Sequence, residues 1–237
     1  NANTYLDENK DEFFIDDEVF CDPYAKRLVG REKWGKAIGE KPHLLSEFNM
    51  KPSDDFVKND VKPCISYEDS IIYSLHVRGF TKHASSGVKE KGTFEGVVEK
   101  IPYLKELGVT AVECMPFYEF NELIYNPAYT TFDIQRMPFM EEKNQWEYRI
   151  NYWGFADKGN YYFAPKYSYG AGKDPVLSCK KMIQSLHENG LECIMQIYFS
   201  KEQKPGFILE VLRFWALEYH VDGFHLMGIG VPMKLIG

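Results

Sequence analysis

Long apolar runs are what this sequence most clearly lacks. Nowhere do about 18 apolar residues follow one another, so no transmembrane helix is expected and no membrane partner. The opening, from Asn1 to Lys10, is polar and acidic with no apolar centre, so a secretory leader is not expected. A cationic excess is missing too. The 28 Lys and Arg against 35 Asp and Glu leave a net charge of −7. That balance argues against phosphate-backbone binding and hence against a nucleic-acid partner.

The five cysteines, Cys21, Cys64, Cys114, Cys179 and Cys193, include no C-x-x-C pair and are widely spaced. Neither a zinc site nor a disulfide framework is indicated. Cys114 and Cys193 lie in apolar runs, where free cysteine acts as a small buried hydrophobe, and a reducing, cytoplasmic setting is expected. No G-x-x-x-x-G-K-[ST] or G-x-G-x-x-G follows a strand, and no His/Asp/Glu cluster has metal spacing. No cofactor and no metal are expected.

What is present has the grammar of an α/β domain. The chain has 237 residues, 44% of them hydrophobic, and divides at about residue 68. Residues 1–68 are acidic at the start, with scattered Gly and Pro and no long periodic segment, and read as an irregular connector. From Ser70 strands and helices alternate. Ile71–Val77 reads as a first strand. Thr93 caps a helix in which Phe94, Val97, Val98, Ile101, Leu104 and Leu107 recur at three and four residues, with a break expected near Pro102. Ala111–Met115 is the second strand, and Leu191–Phe199 and Gly223–Met227 are the third and fourth. Asp174-Pro175 and Pro205 open the intervening helices. Such alternation implies a parallel sheet with right-handed crossovers.

Residues 116–173 are too long for a plain βα connection and hold close to half of the chain's aromatic residues. Two readings stay open: an insertion that uses its rings as local core, or a platform on which pyranose faces stack.

Several segments together resemble the isoamylase, pullulanase and glycogen-debranching group of the α-amylase superfamily (glycoside hydrolase family 13). Cys21-Asp22-Pro23-Tyr24-Ala25 and Trp34-Gly35 are similar to its connector ahead of the barrel. Ile72-Tyr73-Ser74-Leu75-His76-Val77-Arg78-Gly79-Phe80-Thr81 is similar to its first strand. Ile101 to Pro116 resembles its first helix and second strand. Asn151-Tyr152-Trp153-Gly154-Phe155 and Tyr162-Phe163-Ala164-Pro165 resemble its aromatic segment, and Tyr219 to Phe224 the approach to its fourth strand. The resemblance implies a (β/α) barrel of which this chain holds four strands. The expected fold is therefore a partial TIM-type barrel over residues 69–237, parallel strands with outer helices. It would be completed in a longer parent chain, by a second copy or by another chain.

Family enzymes of this kind are retaining glycosidases, with one carboxylate as nucleophile and another as acid/base. The family's V-D-G-F-R-x-D pattern reads here Val221-Asp222-Gly223-Phe224-His225-Leu226-Met227. A thioether cannot form a glycosyl ester, so Met227 is no nucleophile, and the neighbouring Arg has become His225. The family's D-V-V-x-N-H reads Gln196-Ile197-Tyr198-Phe199-Ser200-Lys201, with Gln196 for Asp and Lys201 for His. The acid/base belongs to a fifth strand beyond Gly237. Glu113 and Glu119 are poor substitutes, Asp222 belongs to the frame, and His76 suits a satisfied core histidine better than a sugar contact. Three functions are open: a non-catalytic α-glucan-binding or regulatory module, an active α-glucan hydrolase, or an interaction piece without sugar binding. The first is preferred. The expected sugar contacts are Tyr152, Trp153, Phe155 and, more weakly, His76, with glycogen, starch or maltooligosaccharide as ligand.

Overall fold

A computed structural model describes residues 22–35, 59–125, 148–155, 159–172 and 174–228, residues 231 and 234, and the backbone of four short strands before residue 48. Those four are β1 (Tyr5–Asp7), β2 (Lys10–Ile15), β3 (Glu18–Phe20) and, after β4 (Leu28–Val29), β5 (Leu45–Glu47). All five pair antiparallel in one small sheet. These strands lie within the segment expected above to be irregular. None of the five exceeds six residues, and Lys10–Ile15 (KDEFFI) does not alternate apolar with polar, so the period-two signal of a strand is missing.

The main sheet begins with β6 (Ile72–Leu75), shorter than the apolar run Ile71–Val77 by one residue at its start and two at its end. His76 ends it by capping α1 (Val77–Lys82), its Nδ1 accepting the Gly79 N–H at 2.9 Å. Thr93 caps α2 (Phe94–Glu99), and α3 (Ile101–Glu106) restarts after Lys100 with Pro102 in its first turn, where a missing N–H costs nothing. Phe94, Val97, Ile101 and Leu104 are all buried, at roughly 1.5–3 kcal/mol of burial each. β7 (Ala111–Cys114) follows.

The aromatic segment forms two antiparallel ladders. β8 (Tyr118–Phe120) pairs with β11 (Asn160–Pro165), and β9 (Leu123–Tyr125) with β10 (Tyr148–Ile150). Phe117, Tyr118, Phe120, Tyr162, Phe163, Tyr167 and Tyr169 are buried. Residues 126–147 and 156–158 lie outside the described residues. Most described rings of this segment are therefore core. Trp153 and Phe155 are the exceptions at 49% and 38% exposed, and Tyr152 is half-buried.

Then come α4 (Pro175–Glu188), capped by the Asp174 carboxylate, β12 (Glu192–Tyr198), α5 (Pro205–Glu218) and β13 (Gly223–Met227). The four strands run parallel in the order β6, β7, β12, β13, as the alternation implies. Side chains alternate across it. Val112, Cys114, Cys193, Met195 and Ile197 sit at 0% exposure in one core with residues of α2, α4 and α5. The opposite face carries Ile72, half exposed, with Ser74 and His225 exposed, Glu113 partly buried and Gln196 buried.

Candidate functional site

Strand register sets the open face. Ser74 lies beside Glu113, and Gln196 beside His225 one layer further along the same face, so each of the four strands contributes one residue to a polar cluster. Gln196 Nε2 donates to Glu113 Oε1 and reaches Ser74 Oγ at 3.4 Å. His225 Nδ1 lies 2.6 Å from the same Glu113 oxygen, which fixes the proton on Nδ1 as the donated one. Glu113 is 16% exposed and His225 54%. The Glu113 carboxylate thus accepts two hydrogen bonds on Oε1.

Met227 is one layer further along, opposite Tyr198, whose ring meets Phe155 at 5.8 Å between centroids. Lys201 is exposed in the turn after β12. The four altered family positions therefore do not share one place: Gln196, His225 and Met227 lie on the open face, and Lys201 lies beyond the strand end.

The expected sugar contacts form two groups. Tyr152 stacks on His76 with ring centroids 4.1 Å apart and 12° between planes, and Trp153 stands edge-on to both. His76 is 7% exposed; its Nε2–H points to the Tyr152 carbonyl at 2.8 Å and the Tyr169 hydroxyl at 3.1 Å. Burial lowers its pKa, the Tyr152 hydrogen bond acting against that. Both nitrogens are occupied, which leaves no atom of His76 for a sugar. Its place is an N-cap rather than mid-strand, so the expectation of a strand-centred histidine is corrected. Phe155 sits apart, with Tyr198.

Two buried networks escaped the sequence. Glu119, on β8 rather than on a loop, and Glu122 both bind the fully buried Lys166 ammonium, which also donates to the Phe120 carbonyl at 2.9 Å. Arg31 reaches Glu122 at 3.2 Å and ties the connector to this segment. Burial raises Glu119; for Glu122 burial acts the same way, but Lys166 and Arg31 outweigh it and the pKa falls.

At the start of β13, Asp222 Oδ2 accepts His187 Nε2–H and the Cys193 N–H, each at 2.8 Å, and Lys62 lies 3.5 Å from Oδ1. His187 Nδ1 and His220 Nδ1 both meet Asp60, at 2.8 and 2.7 Å. Burial alone would lower His187, yet its two aspartates raise it. Asp222 is lowered: burial opposes, and His187, the Cys193 amide and Lys62 prevail. These groups hold the frame. Strand parity could have found the polar cluster. Nothing local marks Asp60 or Lys166.

Among the described residues no group of three His, Cys, Asp or Glu can hold a metal, and no helix is long and apolar enough to cross a membrane.

No family model matches the chain. Chloroplastic isoamylase 1 of Arabidopsis thaliana is 27% identical over 90% of this chain and 32% of its own length. A glycogen operon protein GlgX homolog of Haemophilus influenzae is 25% identical over 90% of the chain and 38% of its own. Among solved structures, a pullulanase mutant from Paenibacillus barengoltzii, complexed with maltotriose, superposes with a TM-score of 0.62 at 22% identity. That match covers 92% of this chain and 39% of the pullulanase. The chain spans about a third of the length of the curated relatives it matches. The resemblance to the isoamylase, pullulanase and glycogen-debranching group, read from the motifs, thus holds over nearly the whole chain, and the fold is that of part of a pullulanase barrel.

Proposed function

We propose that this chain is a non-catalytic α-glucan-binding or regulatory module built on a debranching-type barrel. One observation carries the reading. Where family hydrolysis needs an unencumbered carboxylate at the end of β13, Met227 stands, and Glu113, which lies on the same face, is held by His225 and Gln196. Covalent glycosidase chemistry requires two carboxylates flanking the scissile bond about 5 Å apart. No pair on the described open face meets that need.

Sugar recognition would rest on Trp153 and Phe155, whose rings keep an exposed face, with Tyr152 beside them. Without orienting carboxylates the affinity should be weak, roughly millimolar and worth about −4 kcal/mol. Titration of maltotriose and maltohexaose, followed by tryptophan fluorescence and NMR shifts, tests this. The expected result is saturable binding that weakens several-fold in Phe155→Ala. An absent response, or one unchanged by Phe155→Ala, would leave the interaction-piece reading, which the buried aromatics of the same segment favour. We further place the protein in a reducing cytoplasmic setting, supported by the free buried thiols Cys114, Cys179 and Cys193. The remainder of the barrel, in a longer chain or a second copy, would cover the open face.

A further inference from the structure

Against a net charge of −7, one place on the described surface gathers three cations. Arg78 and Lys82 stand four residues apart on α1, a spacing at which like charges repel. Both crowd Gly92: a β-carbon there would meet Lys82 Cδ at 3.2 Å and Arg78 Nη1 at 3.3 Å. Lys91 adjoins Gly92 in the chain, and both it and Arg78 act electrostatically on Lys82, lowering its pKa, with Arg78 the larger influence. Among the described residues, none of the three has a carboxylate within ion-pair distance.

Arg78 is the anchor. Its guanidinium lies over the Trp34 ring, 5.3 Å from the centroid, so its position is fixed by packing rather than by hydrogen bonds. Glu122, the acid that acts on Arg78, is already shared by Lys166 and Arg31. Glu99 is taken by the Lys89 and Glu90 amides. The Tyr152 hydroxyl closes one side: a β-carbon at Gly79 would lie 2.2 Å from it. Two glycines therefore keep the floor low between a guanidinium, an ammonium and a phenol. Planar donors with adjacent ammonium groups match the oxygens of a phosphate better than any neutral ligand.

We propose that Arg78, Lys82 and Lys91, with the Tyr152 hydroxyl, form a binding site for a phosphate-class dianion, either a sugar phosphomonoester or free phosphate. The site stands on its own charges and shares only Tyr152 with the proposed sugar platform, so either can fail without the other.

Calorimetric titration of the whole chain at low ionic strength, with inorganic phosphate, glucose 6-phosphate and glucose as probes, tests it. Both phosphate-bearing probes should bind with roughly millimolar affinity, weaken as salt rises, and leave glucose alone silent. Arg78→Gln should weaken binding by at least about tenfold, since it removes the fork of donors. Lys82→Gln should weaken it by about threefold, the loss of one exposed charge. If glucose 6-phosphate binds more tightly than phosphate, the site takes a phosphomonoester; equal affinities assign it to the free ion, and either result upholds it. Should Arg78→Gln fail to fold by circular dichroism, the exposed pair Lys82→Gln and Lys91→Gln decides the matter, with a clear loss expected. No saturable response at tens of millimolar phosphate, the same affinity in the variants, or a response to glucose equal to that of its phosphate would overturn the proposal.

Discussion

Asp222, just before β13, and Met227, at its far end, lie five residues apart and have opposite surroundings. Asp222 is tied to His187, Lys62 and the Cys193 amide, and through His187 to Asp60. Met227 brings no polar group, and His225 before it is more than half exposed. The first end is where a parallel barrel is held together; the second is where chemistry is built. On the proposed reading, one strand holds a structural anchor at one end and lacks the means of reaction at the other. The absence of a reacting group need not loosen the fold, because among the described residues no hydrogen bond joins the two sets of groups.

The sharpest way to break this contrast is to damage the frame. Lys166→Met leaves Glu119 and Glu122 buried without their common partner and should cost about 3–5 kcal/mol in urea unfolding. Asp222→Ala should cost about 3 kcal/mol, because His187, Lys62 and the Cys193 amide lose an acceptor together. A loss below about 1 kcal/mol in either would erase the distinction between frame and open face.

pH sharpens it. The raised His187 contributes fully below its ordinary value of 6.5, and that contribution disappears as pH rises through its higher folded value. The lowered Asp222 contributes above its ordinary 3.8, and loses that as pH falls through its depressed folded value. The melting temperature should therefore peak between those limits. In His187→Gln the alkaline side of the peak should flatten, as thermal scans at stepped pH would show. The smallest effects belong to the open face, where His225→Ala and Met227→Leu should each change stability by no more than about 0.5 kcal/mol.

Much of the frame was legible because its signals are local. Thr93, Asp174 and Pro205 mark helix starts within a residue or so, and Gly223–Met227 is the strand the apolar run describes. The N-terminal strands were not legible, because short strands without alternation leave no periodic trace. Gln196, Lys201, His225 and Met227, read as replacing functional positions, stood out only against a family pattern. Glu113 did not, because its partners come from the sheet: β7 and β12 set it opposite Ile194, and its carboxylate reaches Gln196 and His225 one layer further along. Lys166 gave no sign either, since its carboxylate partners are 44 and 47 residues away in the chain. His76 looked like strand because the apolar run continues through Val77, whereas the cap geometry with Gly79 stops it.

Release of reducing sugar from pullulan and maltohexaose by the purified chain bears most directly on the proposed absence of chemistry at β13. With Met227 in place of a carboxylate, release should not exceed the buffer background, a deficit on the order of 10⁶ in rate for an enzyme deprived of its nucleophile. Met227→Asp alone should remain at background, because Gln196, Lys201 and His225 are still altered. Turnover that co-purifies with the chain through repeated chromatography would contradict the non-catalytic reading.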